Sequence, residues 1–249
     1  IAADGLVIAK VVGNIGTVVE VNSETDFVAK NQGFVDFVNN CADVIIRENP
    51  ADVAALLEVN DGGSTIQEQL HEKILTIGEN LTVRRFTRLE GTLVSYVHAG
   101  GKIGVMVEFD TDCGDKPEFM EYGKDVAMQV AALNPLYLDK SDVPSDVVEK
   151  EREILIAQVK IDPKTANKPQ EVLEKMVEGK LNKKFYQDSC LVEQAFVKDG
   201  AITVGKHTEA VAKELGGKIS IKSFVRYEKG EGIEKRVDDF ASEVAGMVK

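Results

Sequence analysis

The residue types that usually carry chemistry are few in this chain, and they are not grouped. The three cysteines, Cys41, Cys113 and Cys190, lie far apart. An odd count without close pairs argues against a disulfide framework and suits a reducing cytoplasm. His71, His98 and His207 are single and distant, and no Cys/His pair has zinc spacing, so no metal is expected. No apolar run approaches the length of a membrane span, and no signal peptide opens the chain. A Gly-x-x-x-x-Gly-Lys-Ser/Thr run is missing, which argues against direct nucleotide binding. Gly230-Glu231-Gly232 lacks the strand–turn–helix context of a dinucleotide fingerprint, and Glu231 would repel phosphate. No nucleophile-elbow motif marks a serine. A basic surplus is missing too: 30 Lys and Arg stand against 42 Asp and Glu, for a net charge of -12. Non-specific nucleic-acid binding relies on phosphate neutralisation, so no nucleic-acid partner is expected; a protein partner suits the charge better. With this many carboxylates close pairs are inevitable, and Glu149-Lys150-Glu151-Arg152-Glu153 has the pattern of a solvated helix face. No cofactor or membrane association is expected; by the residues alone an enzyme with an acidic site stays open, which a deep pocket with converging carboxylates would support.

The 249 residues, 43% hydrophobic and 29% charged, have the composition of a soluble globular protein with one large or two small cores. Leu6–Val12 and Ile15–Val21 are apolar, β-branched runs on either side of Gly13-Asn14, a two-residue hairpin signal. Phe34, Phe37, Val38, Cys41, Val44 and Ile45 recur at helical spacing. Pro50 breaks the pattern, and short helical segments follow over 54–57 and 66–77, interrupted at Gly62-Gly63. Leu81 to Leu89 alternates, with Leu81, Val83, Thr87 and Leu89 expected on one side of a strand.

The plan then begins again. Leu93-Val94 echoes Leu6-Val7, Gly100-Gly101-Lys102 replaces the first turn, and Ile103–Glu108 echoes Ile15–Glu20. A helical stripe follows through Phe119, Tyr122, Val126, Val130 and Leu133. Ile219–Glu228 repeats 81–90, with Phe224, Arg226 and Glu228 matching Phe86, Arg88 and Glu90. Matches at turn, strand and final strand in the same order indicate an internal duplication. The second copy carries extra material. Pro144-Ser145-Asp146 opens a charged helix, and 162–169 is a polar break with two prolines. Two further stripes follow: Val172, Leu173, Met176, Val177, Leu181 and Phe185, then Val204, His207, Val211 and Leu215. Paired, they suggest an antiparallel helical hairpin, a short coiled coil. Ile233, Val237, Phe240, Ala241, Val244 and Met247 share one face of a terminal helix.

The stretch 20–30 joins the first hairpin to its helix. Thr25 suits an N-cap and Asp26 the positive end of the helix dipole. Phe27 has two possible places: folded under its own helix as a hydrophobic staple, or left near the surface. The residues by themselves favour the staple.

Asn22 to Lys30, centred on Thr25-Asp26-Phe27-Val28-Ala29, resembles the signature of the elongation factor Ts family. Ile77-Gly78-Glu79-Asn80 and Gly230-Glu231-Gly232-Ile233-Glu234-Lys235 are similar to further motifs of that family, so the resemblance spans nearly the whole chain. It implies an α+β protein of two related halves, each with a small antiparallel sheet packed by helices. An inserted helical hairpin and a C-terminal helix complete that plan. The expected division is 1–91 for the N-terminal half of the core, 92–161 and 214–231 for the C-terminal half, 162–213 for the hairpin and 232–249 for the terminal helix. The chain opens on Ile1, and the small helical domain that usually precedes this point in the family is not matched. The implied function is cytoplasmic: guanine-nucleotide exchange on elongation factor Tu during translation elongation, with no bond made or broken. The implied partner contacts are Thr25, Asp26, Phe27, Val28, Ile77, Gly78, Glu79 and Asn80. Phe27 would wedge between helices of the GTPase and Asp26 would assist. Met128, Gln129 and Val130 stand where the family often has Met-His-Val, a patch that touches the third domain of the GTPase; ordinary packing is the other reading of Met128 and Val130. Gln129 can donate and accept hydrogen bonds but cannot gain charge near neutral pH. Cys113-Gly114-Asp115 stands near the place equivalent to the Asp-Phe loop, so if the halves share a fold the second has lost the wedge and is expected to serve affinity instead. The terminal helix would dock on its own domain or reach the GTPase. The alternative function is a structural or scaffolding homodimer assembled through the hairpin, with Phe27 a buried staple.

Overall fold

The computed structural model describes residues 2–234, and the fold is α+β. In chain order, β1 (Asp4–Val12) and β2 (Ile15–Ser23) form the expected hairpin, with Val12 opposite Ile15 across Gly13-Asn14. Then come α1 (Gln32–Glu48), α2 (Val53–Glu58), the two-residue strands β3 (Asn60–Asp61) and β4 (Ser64–Thr65), α3 (Ile66–Ile77) and β5 (Thr82–Glu90). The second part has β6 (Thr92–His98), β7 (Ile103–Thr111), α4 (Pro117–Leu133), α5 (Ser145–Ile161), α6 (Gln170–Lys180) and α7 (Tyr186–Ser189). It closes with β8 (Ala195–Phe196), β9 (Asp199–Thr203), α8 (Val204–Leu215) and β10 (Ile219–Glu228). Two three-stranded antiparallel sheets result, ordered β1-β2-β5 and β10-β7-β6.

The sheets pack face to face, with a helical layer outside each. Val7 and Val18 from one sheet meet Leu93 and Met106 from the other, all buried. On the outer face of the first sheet, Val19, Val21 and Val83 pack on Phe34, Phe37, Val38, Cys41 and Ile45 of α1. On the second, Val105, Val107 and Phe109 pack on Phe119, Tyr122, Val126 and Val130 of α4.

Each sheet carries one bulge, opposite a buried glutamate. Arg84 is the extra residue opposite Glu20 and Val21, and Lys222 the extra residue beside Glu108. A bulge shifts the alternation of side chains by one. This corrects the expected single face of β5: Leu81 and Val83 lie with Phe86 toward α1, whereas Leu89 lies between the sheets and Thr87 bonds Tyr227 there at 2.5 Å.

The pairing of the amphipathic stripes also differs from expectation. Leu173, Val177 and Leu181 pack on Leu155 and Val159 of α5, across the turn at 162–169. The stripe of α8 instead joins the second core, through buried Val204 and partly buried Val211 and Leu215. The reason is chain length: the short polar turn returns α6 directly onto α5. By contrast, α7, β8 and β9 intervene before α8. Of the helix expected over 232–249, only residues 232–234 fall within the described part.

Candidate functional site

The site begins where β2 ends. Ser23 is the last strand residue and Asn31 the N-cap of α1, its Oδ1 accepting from the Phe34 amide at 3.1 Å. The cap therefore lies six positions beyond Thr25, which does not cap the helix. Between them, Glu24–Phe27 form an exposed loop and Val28–Lys30 a single 3-10 turn. Val28 is buried in the first core; Thr25 and Asp26 are exposed; Phe27 is 78% exposed. The staple arrangement is thus excluded, since the ring lies outside its own core.

Ile77-Gly78-Glu79-Asn80 meets this loop. Ile66, Leu70, Ile74 and Ile77 hold α3 against the first core, and Gly78 ends the helix with a left-handed φ of 80°. That turn carries Glu79 back to Thr25: its carboxylate accepts from the Thr25 amide at 3.0 Å and from the Thr25 hydroxyl at 2.5 Å. Two stretches that resemble family motifs, more than fifty positions apart, are thereby joined. Gly78 and Asn80 remain exposed.

Met128, Gln129 and Val130 are not brought to this loop; they lie on α4 over the second sheet. Met128 is half-buried, while Gln129 and Val130 are both 0% exposed. Gln129 spends its amide inside the chain. Its Nε2 donates to the Ala195 carbonyl at 3.0 Å and to the Gln194 side chain at 3.3 Å, and its Oε1 accepts from the Val197 amide at 2.8 Å. Of the three, Met128 alone offers surface in the free chain.

Some exposed apolar residues were not singled out from sequence. Leu75 stands off the buried stripe of α3 and is 83% exposed. Its spacing gave a signal, because a leucine one position after Ile74 cannot share that face. Leu136 and Val197 are exposed around the end of α4 and the segment that Gln129 holds, and so is Leu133, which belongs to the expected buried stripe of α4 but stands at the last position of the helix. No periodic signal marks Leu136 or Val197, which lie in connections.

Elsewhere the polar groups are committed to structure. Glu20 is 0% exposed and receives Asn22 Nδ2 at 2.9 Å, Arg85 Nε at 2.6 Å, Arg84 Nη1 at 3.1 Å and the Gly230 amide at 2.7 Å. Burial alone would raise its pKa; the hydrogen bonds from Asn22, Gly230 and Arg85, with the Arg85 charge, outweigh it and hold the carboxyl below its ordinary value. Burial pushes the Cys41 thiol up to about 12 and the Cys190 thiol to about 11, states unsuited to nucleophilic chemistry. Asp139 and Glu193 line an open groove of about 620 Å³ between α8 and β10, but Asp139 caps a 3-10 turn and Glu193 pairs with Lys140 at 3.5 Å. Among the described residues, no cluster of His, Cys, Asp and Glu could hold a metal, and no helix is long and apolar enough to cross a membrane.

Comparison with known proteins decides the family. The family model described as Elongation factor TS matches residues 24–231. The chain belongs to the elongation factor Ts family. It is 43% identical over 253 residues to Elongation factor Ts of Syntrophotalea carbinolica, with 100% of this chain and 82% of that protein covered. It is 45% identical over 255 residues to Elongation factor Ts of Trichlorobacter lovleyi, covering 98% and 80% respectively. It is 45% identical over 253 residues to Elongation factor Ts of Clostridium perfringens, covering 99% and 82%. The match to the elongation factor Ts model begins two residues before Asp26 and ends inside the Gly230-Glu231-Gly232 turn. It thus includes both the exposed loop and the turn bound to Glu20.

Proposed function

We propose that this chain is a guanine-nucleotide exchange factor that promotes release of GDP from elongation factor Tu in translation elongation, and that Phe27 is its wedge. The family membership supports the activity and the partner. The observation that carries the mechanism is the exposure of Phe27, 78%, on a loop whose flanks are tied down on both sides. An exposed ring on a fixed loop can enter an apolar slot in a partner without first leaving a core. Ile77, Gly78 and Asn80 line the same contact, with Asp26 beside the ring, and Met128 serves the second half's contact. Linkage sets the direction: a factor that weakens nucleotide binding is itself bound more weakly when nucleotide is present. The protein forms and breaks no covalent bond in this reading, and a cytoplasmic location follows from the translational role.

The two halves are read as copies of one plan, of which only the first kept a wedge. The hairpin is placed at 145–185 rather than 162–213, because α5 supplies the helix on which α6 packs and α8 supplies Val204 to the second core. The scaffold reading required a buried Phe27, and neither the ring's exposure nor the family supports it.

Release of labelled GDP from elongation factor Tu, with and without this chain, tests the function. Acceleration that grows with the concentration of the chain is expected. An unchanged release rate at saturating chain would overturn it.

A further inference from the structure

Both carboxylate oxygens of Glu79 are engaged within the chain. Oε2 takes the Thr25 amide and Oε1 the Thr25 hydroxyl, the second a short bond to a charged acceptor. Thr25 is held from a third direction as well: its carbonyl accepts from the Ser23 hydroxyl at 2.9 Å. Every polar group of Thr25 is thus engaged, two positions before Phe27. On the far side, the Phe27 carbonyl accepts from the Lys30 amide at 3.1 Å, and Val28 is anchored in the core. Glu79 itself stands on a fixed base, immediately after the glycine that ends α3. A solvent-exposed phenylalanine on a free loop gains by folding back onto its own body, since that removes apolar surface from water. The clamp opposes this collapse.

We infer that Glu79 is a positioning residue: it holds the Glu24–Phe27 arch so that the Phe27 ring stays outward, and it does not itself touch the GTPase. The inference rests on the wedge reading of Phe27.

The test is a double-variant cycle on GDP release from elongation factor Tu, using the full chain carrying Glu79→Ala, Phe27→Ala, or both. Glu79→Ala is expected to lower the maximal release rate about tenfold, with little change in the half-saturating concentration, because the rest of the surface still docks and the loosened arch is ordered only in the later step that displaces GDP. A merely destabilised chain would instead raise the apparent half-saturating concentration at an unchanged maximum. In the Phe27→Ala background, Glu79→Ala should cause no further loss. Glu79→Gln can keep both contacts, its Oε1 accepting from the Thr25 amide and its Nε2 donating to the Thr25 hydroxyl, and should recover most of the lost rate. If the two losses multiply, Glu79 contacts the partner directly and the inference fails. If Glu79→Ala is silent while Phe27→Ala is impaired, the clamp fails and the wedge stands. If Phe27→Ala is itself silent, both fail.

Discussion

At the scale of single residues, exposure separates substitutions expected to alter exchange from those expected to alter stability. Phe27→Ala removes a ring that fills no core, so thermal unfolding should barely move. Exchange should fall, because burying a phenylalanine in a partner's slot is worth roughly 1.5–3 kcal/mol, or about ten- to a hundredfold in rate. Measuring melting temperature and GDP release on the same preparation checks both halves of that statement. A destabilised but fully active variant would remove the wedge. Val130→Ala should behave in the opposite way. Its side chain is fully buried against the second sheet, so truncation should cost roughly 2 kcal/mol in urea unfolding through lost burial and a residual cavity. Sequence spacing could place Val130 on a stripe, but a stripe on a helix does not say which of its ends meets solvent. That question was settled by the β6–β7 hairpin lying beneath α4.

At the scale of elements, the hairpin α5–α6 has its own small cluster, Leu155, Val159, Leu173, Val177 and Leu181. Its two ends return to one place, where Lys140 reaches Asn182 at 3.5 Å and lies over the Tyr186 ring. Removing residues 147–183 and joining the ends with a short linker should leave a cooperatively folding body, since closing a short loop costs little. Removing 162–213 should not, because Val204 and the Tyr122–Thr208 hydrogen bond of 2.7 Å leave with α8. Circular dichroism melts of the two deletions decide between the boundaries, and two equally sharp transitions would contradict the assignment of α8 to the second core. The stripes themselves were legible in the sequence; which stripe meets which was not. Periodicity reports that a helix has an apolar face, and the partner for that face depends on connection lengths and on short strands such as β8 and β9, whose composition carries almost no signal.

At the scale of the whole molecule, two joints hold the layers together. The first is between the sheets, where a Cβ on Gly104 would come to 2.5 Å from Val7 Cγ1 and one on Gly16 to 2.6 Å from Met106 Sδ. Valine is stiff at χ1 and methionine is not, so Gly104→Ala should cost about 1–3 kcal/mol and Gly16→Ala somewhat less, its Cβ pressing also on Leu93 and Val11 at 3.0 Å. Paired urea titrations give the comparison; equal costs would mean that the sheets adjust as rigid bodies. The second joint is Glu20, whose carboxylate ties β2 and β5 to the turn after β10. A Cβ on Gly230 would collide with the Ala3 carbonyl oxygen, and φ there is left-handed at 72°, so that turn admits only glycine. The folded-state pKa of Glu20 is lowered, so its stabilising contribution is complete above the unfolded value and drains away as pH falls toward the folded one. The stability gap between the parent and Glu20→Gln should therefore be widest at neutral pH and narrow below about pH 5. A gap independent of pH would show that the loss reflects packing alone.

Local features of the chain were determined by its own sequence: the Gly13-Asn14 hairpin, the apolar stripes of α1 and α4, and the repeated strand plan. Each depends on contacts between near neighbours, where periodicity and turn chemistry report directly. The motifs of 22–30 and 77–80 were also visible, but their relation was not. Thr25 reads locally as a helix cap, and only the packed position of α3 turned it into the residue that Glu79 grips. The bulge at Arg84, the burial of Gln129 and the outward ring of Phe27 have the same origin. In each, a polar or aromatic side chain has several acceptable local states. The choice among them falls to groups distant in sequence, which meet only once the layers have packed.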